Sequence, residues 1–152
     1  MVGRCAALLF AATLVTAAGC ATKTHSAPSS VQTTAASAPA SSNGRSIFQT
    51  GRDSNGTQIV AQHPPPYASC AACHRANGSG GMHLPGGAVS ADLRHKALVT
   101  DMKPPYTLAT LERAVATGVD NQGKPLDAVM PRWKLSARDL HDVAQYVMTQ
   151  LK

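Results

Sequence analysis

Residues 70–74 read Cys-Ala-Ala-Cys-His, and no other stretch limits the fold of this chain as severely. At that spacing one helical turn puts both sulfurs on the same side, with the imidazole next in line. Three chemistries use such a pattern: a redox dithiol, half of a metal site, or the covalent anchor of a haem, whose two vinyl groups take the thiols while the histidine meets the iron. The rest of the chain must build the surroundings that one of these requires.

The N-terminus narrows the choice. The chain opens MVGRCAALLFAATLVTAAGC: one basic residue, Arg4, an apolar run over 6–18, then small residues and Cys20. That is the layout of an export signal. The run is shorter than the roughly 20 residues of a membrane-spanning helix, and no later stretch comes closer. Its end, Ala17-Ala18-Gly19-Cys20, resembles the lipobox of bacterial lipoproteins. The resemblance implies a signal peptide over 1–19, cleavage before Cys20 and lipidation of that cysteine; an ordinary secretory signal with a chance cysteine is the plainer alternative. Ala21 is compatible with onward sorting to the outer membrane. An anchor of several acyl chains holds firmly, because each buried CH₂ contributes about 0.8 kcal/mol.

Export also resolves the cysteine count. Of four cysteines, Cys5 leaves with the signal and Cys20 carries lipid, so only Cys70 and Cys73 remain. A disulfide-stapled domain needs more, and a four-cysteine zinc site needs a second pair. A thioredoxin-like dithiol would sit in a βαβ pattern that is missing here. The haem anchor is the favoured reading.

Residues 21–43 draw 18 of their 23 residues from Ala, Ser, Thr and Pro. With almost nothing to bury, residues 20–43 read as a lipidated cysteine and a disordered tether spanning on the order of 27 Å. Residues 44–152 then form one domain of common size, able to bury about 65% of its extended-chain surface, enough for a thin core that a planar apolar cofactor would thicken. The chain holds 14 basic and 8 acidic side chains, with Arg4 in the signal and the other basic residues scattered. That balance favours an acidic partner or a membrane surface and shows no run suited to nucleic acid.

Within the domain, Gly44 to Gly51 reads as a short first helix with Ile47 and Phe48 on one side. Residues 52–66 and 77–105 are rich in Gly, Pro and turn formers, and a loop as long as the second normally wraps something. Thr107 is placed to cap a helix carrying Leu108, Leu111, Ala114 and Val115 and stopped by Gly118. Ser136 and Asp139 form a capping box ahead of a last helix striped by Leu140, Val143, Ala144, Val147 and Leu151. No stretch alternates well enough for a strand. The fold class expected is all-α, three to four helices and long loops wrapped around one covalently bound haem.

A haem held by His74 needs a sixth ligand or leaves an open iron. Met82 follows His74 too closely to reach the opposite face, and Met148 lies in the last helix where packing is its ordinary role. Met102 and Met130 both have reach. Met130, followed by Pro131, Arg132 and Trp133, sits in an irregular segment just before the capped helix and is preferred; Met102, His83, His95 or an open site are the alternatives.

These features together resemble class I monohaem c-type cytochromes, across nearly all of 44–152. The matching residues are Gly44 and Phe48, Cys70-Ala-Ala-Cys73-His74, a proline-glycine loop, Met130-Pro131-x-Trp133, and "VAQYV" in the last helix. The resemblance implies that the first and last helices cross at Gly44 with Phe48 against Tyr146. It implies that the carbonyl of Pro85 accepts from the His74 imidazole, fixing its tautomer. Trp133 is read as packing on the haem or reaching a propionate with its indole N–H, with an ordinary core tryptophan as the alternative. Arg132 and Lys134 are read as solvated surface residues in preference to propionate partners. The sequence departs from compact members in an insertion over 52–66 and in the residues after Gly80.

The function expected is a single-haem electron carrier. It would be lipid-anchored on the periplasmic side of a bacterial cell envelope and exchange electrons with redox protein donors and acceptors. The alternative is a haem subunit of an oxidoreductase, or a five-coordinate haem that binds peroxide or a diatomic gas.

Overall fold

The computed structural model describes residues 40–62 and 68–152, most of a compact unit spanning Ala35–Lys152. Cys20, the signal and most of the tether lie outside the described residues, as do residues 63–67.

Helix α1 (Ala40–Thr50) starts four residues ahead of Gly44, which corrects the expectation that residues 40–43 belong to a tether. The reason is Asn43. Its side chain is buried at 1% exposure between α1 and the last helix, and its Nδ2 donates to Asp139 Oδ1 at 2.9 Å and Asp142 Oδ2 at 2.8 Å. Asn43 Oδ1 in turn accepts from the Ser54 N–H at 2.7 Å. A polar residue that reads as linker is ordered because every hydrogen-bonding group it buries finds a partner.

Helix α2 (Ala71–His74) is a single turn. A 3₁₀ turn (Pro85–Gly87) and a π turn (Lys96–Asp101) punctuate the long loop that follows. Helix α3 (Leu108–Thr117) starts at the expected cap: Thr107 accepts from the Thr110 N–H, and the Thr110 side chain answers the Thr107 N–H. It stops at Gly118, in the left-handed region, whose N–H returns to the Ala114 carbonyl. Helix α4 (Ala137–Gln150) starts at Ser136, which accepts from the Asp139 N–H at 3.1 Å. Its stripe is buried at Val143, Ala144 and Val147, and Leu151 continues it beyond the helix end.

Two strands do form, against expectation. β1 (Val60–Ala61) pairs antiparallel with β2 (Trp133–Lys134), Val60 opposite Lys134 and Ala61 opposite Trp133. Two residues are too few to show an alternating pattern, and the pairing is made by contacts distant in sequence. It also gives the 52–66 insertion its path: the described part turns back beside the segment that follows Met130, and the Gln62 N–H donates to the Arg132 carbonyl at 2.8 Å. The fold is otherwise the expected all-α arrangement, four helices and long loops.

Helices α1 and α4 cross at Gly44. A Cβ there would lie 2.0 Å from the Asp142 carbonyl oxygen and 2.8 Å from the Tyr146 Cβ, so only glycine lets the helices approach this closely. Phe48, fully buried, meets Tyr146 one turn on, ring centroids 5.6 Å apart and tilted by 50°. Alanine in a helix interior normally gains about 1 kcal/mol over glycine, whereas overpacking costs typically 1–3 kcal/mol and more where backbone must move. Here the obstacle is backbone, so the clash wins. Gly44→Ala is expected to destabilise the domain by about 2 kcal/mol and lower its Tm by roughly 10 °C; calorimetry showing an unchanged Tm would contradict the crossing.

Candidate functional site

Helix α2 presents the motif as its spacing predicts. Cys70 O accepts from the Cys73 N–H at 3.2 Å and the His74 N–H at 2.9 Å, a tight turn that turns the two thiols and the imidazole toward one cavity. Both cysteines are free thiols. Burial pushes the Cys70 thiol up to about 12 and raises Cys73 as well. A redox dithiol needs a thiolate stabilised near neutral pH, and these surroundings do the opposite.

His74 is buried, and its Nδ1 lies 2.8 Å from the Ala91 carbonyl oxygen. Burial lowers its pKa and the Ala91 carbonyl opposes that shift only in part, so the neutral ring is favoured. With the Nδ1–H donated to the carbonyl, the lone pair sits on Nε2, free for a metal.

That partner is Ala91 and not Pro85, which corrects the expectation taken from the family resemblance. Pro85 is exposed at the tip of a hairpin. Residues 81–90 fold back on themselves: the Gly81 N–H donates to Ser90 O at 2.8 Å, the Ser90 N–H to Met82 O at 2.9 Å, and the Leu84 N–H to Ala88 O at 2.8 Å. The chain therefore returns to the imidazole only at Ala91. The "NGSGG" stretch was the signal for this. Gly80, at φ 59°, donates its N–H to His74 O at 3.0 Å, and a Cβ on it would lie 2.3 Å from the Ala91 oxygen. The Leu93 N–H bonds Gly78 O at 2.7 Å, and Arg94 grips Asp92 through Nε and Nη2, holding the residues beside Ala91.

The thiols and His74 open into a cavity of about 320 Å³ whose wall is mostly apolar and includes Phe48, Leu98, Leu111, Val143 and Val147. Met130, half-buried, and Trp133, 5% exposed, stand in the same wall. Met102 also reaches it, but at 37% exposure. Met82, Met148, His83 and His95 are not wall residues. The Arg132 side chain, read from sequence as solvated, is half-buried, and its guanidinium meets the carbonyls of Leu126, Asp127 and Met130.

An apolar cavity with two neutral thiols and an uncharged buried imidazole on its wall suits a large planar apolar group that bonds covalently through sulfur and takes one nitrogen to its metal. The fold and the site define a small helical protein built around a covalently bound haem. Residues 41–150 match the model of the cytochrome c family, and the chain belongs to that family. It therefore carries one covalent haem c, and haem-based electron transfer is the activity the family implies. No curated protein matches. Among solved structures, "structure of oxidized SHP, an oxygen binding cytochrome c" is similar at 16% identity, covering 72% of this chain and 81% of that one, with a TM-score of 0.42.

Gly80→Ala tests the second support of His74. A side chain there must displace the Ala91 carbonyl and strains a positive φ, so a loss of about 2–3 kcal/mol in guanidinium unfolding is expected. In the reduced holoprotein the His74 Nδ1–H should exchange faster with solvent by NMR, and unchanged protection would mean that Ala91 is not its acceptor.

Proposed function

We propose that this chain is an exported, lipid-anchored class I monohaem cytochrome that carries single electrons, in which Cys70 and Cys73 would anchor the haem and His74 and Met130 would hold its iron. The observation that carries the reading is that these four side chains line one apolar cavity while the Ala91 carbonyl holds His74 in the required tautomer. Bound there, haem supplies one-electron iron chemistry whose potential a thioether ligand raises.

The chain's own residues do the rest. Cys70 and Cys73 fix the orientation of the group, and His74 presents Nε2. Met130 would hold the iron through its thioether, a weak donor that favours the ferrous state. Phe48, Leu98, Leu111, Val143 and Val147 keep water from that space, which disfavours the extra charge of the ferric state. Trp133, buried between the ligand loop and the core, packs against the same space. With His74 and Met130 both holding the iron, substrate would not reach the metal, and the role would be that of a carrier and not an enzyme.

Residues 1–19 act as the signal peptide and Cys20 as the lipidated residue. The tether ends where α1 begins at Ala40, and residues 40–152 form the haem domain on the periplasmic side of the envelope. Among the described residues no helix is long and apolar enough to cross a membrane, so attachment would rest on Cys20. Redox protein donors and acceptors meet the domain through small, transient, charge-steered contacts.

Expression with haem-attachment machinery tests the reading in three steps. Replacing both Cys70 and Cys73 by Ala should abolish covalent haem in a pyridine haemochrome assay. Met130→Ala should remove the thioether-to-iron charge-transfer band of the ferric protein and let the ferrous protein bind carbon monoxide. The unmutated protein should bind it slowly or not at all; rapid binding there would favour the five-coordinate, gas-binding reading. Labelling with a palmitate analogue should depend on Cys20.

A further inference from the structure

We propose that Arg132 is a positioning residue for the sixth ligand: its guanidinium gathers the carbonyls of the loop that carries Met130 and holds that loop closed over the cavity. The proposal rests on the reading of Met130 as the axial ligand.

The loop from Gly118 to Met130 has little regular structure to hold it. It is ordered instead by short turns: the Leu126 N–H returns to Gly118 O at 2.8 Å, the Met130 N–H to Asp127 O at 3.1 Å, and the Val129 N–H to Asp127 Oδ1 at 2.9 Å. Turning this tightly leaves several carbonyls pointing inward. Arg132 meets them from one side. Its Nη1 donates to Asp127 O at 3.1 Å and to Met130 O, and its Nη2 to Leu126 O at 2.9 Å. One rigid planar fork thus reaches three carbonyls, including that of the proposed ligand itself, which a lysine ammonium on a flexible stem cannot reproduce.

The guanidinium has a prepared seat. A Cβ on Gly118 would lie 1.8 Å from Arg132 Nε, so the residue that ends α3 also makes room for the fork. The arginine backbone is held from the other side, where its carbonyl accepts from the Gln62 N–H at the end of the described part of the insertion. Arg132 therefore joins α3, the Met130 loop and the insertion. These contacts turn both Nη nitrogens to loop carbonyls, which favours the positioning role over neutralising haem carboxylates.

Three holoproteins test this: Arg132→Lys, Arg132→Gln and Lys134→Gln, the last removing a neighbouring exposed charge. Thermal unfolding, the ferric charge-transfer band and carbon monoxide binding to the ferrous form are measured in each. Losing charge-assisted hydrogen bonds to the loop should raise the fraction of open iron, and with it apparent carbon monoxide binding, by about tenfold or more. Lys and Gln should behave alike, and Lys134→Gln like the parent. Gly118→Ala keeps the arginine but crowds its guanidinium out of place, so it should shift the band in the same direction even if the Arg132 variants mature poorly. A lower Tm with band and carbon monoxide binding unchanged would reduce Arg132 to a structural role and overturn the proposal. So would an Arg132→Lys protein that matches the parent while Arg132→Gln does not, since charge would then be what matters. Met130→Ala in parallel separates the two readings: a band that survives it removes Met130 as ligand, whereas a band lost there but intact in the Arg132 and Gly118 variants removes only the present proposal.

Discussion

Everything in this domain hangs on the crossing of α1 and α4. The two helices come from opposite ends of the domain, and their contact at Gly44 is what places Phe48 on one side of the cavity and Val143 and Val147 on another. Asn43 adds a polar clamp to the same crossing, joining it to Asp139 and Asp142 in α4 and to the Ser54 backbone. Gln49, the residue after Phe48, donates to the Ala76 carbonyl at 2.6 Å and so ties α1 to the turn that follows His74. The cysteine motif is therefore positioned against the crossing and not by its own four-residue helix, which is too short to be stable alone.

Much of the rest of the cavity wall is loop, and loops bring carbonyls that must be satisfied. The structure solves this twice by the same means. On the imidazole side the Ala91 carbonyl is pointed inward and met by His74 Nδ1; on the methionine side the Leu126, Asp127 and Met130 carbonyls are met by Arg132. A third tie holds the rim between them, where Asn121 and Gln122 donate to the carbonyls of Pro104 and Lys103. The first and third ties join segments 17 to 19 residues apart, and the Arg132 tie closes its own loop, so the loops order together around the cavity.

The two sides differed in how far they could be read from sequence. Helices α3 and α4 were legible because their signals are local: Thr107, Gly118 and Ser136 act within a turn of their own positions. The cysteine motif was legible as chemistry, since few residue types serve that role, and the cavity places Met130 in the same wall. The true start of α1 was not legible, because Asn43 looks like linker until its partners 96 and 99 residues away are known. Nor was Ala91. Any residue can offer a carbonyl, so only the path of the backbone singles one out, and the 81–90 hairpin moved that path six residues beyond Pro85. Arg132 was missed for the opposite reason: arginine beside a surface-like lysine reads as solvated, and three backbone acceptors leave no pattern in a sequence.

The insertion over 52–66 shows why a departure from the compact pattern need not weaken the fold. Doubling a loop costs only about 0.6 kcal/mol in closure entropy. Burying an isoleucine returns roughly 1.5–3 kcal/mol, and Ile59 in this insertion is 8% exposed within the main core. The segment is anchored at its start, where the Ile59 N–H and Gln58 Nε2 both donate to Gly51 O, at 2.8 and 2.7 Å. Its described part ends on the strand that follows Met130, through β1 and the Gln62 N–H. The extra residues thus connect the end of α1 to the segment that follows Met130, so the helix crossing and that side of the cavity are joined by a stretch that reads from sequence as excess.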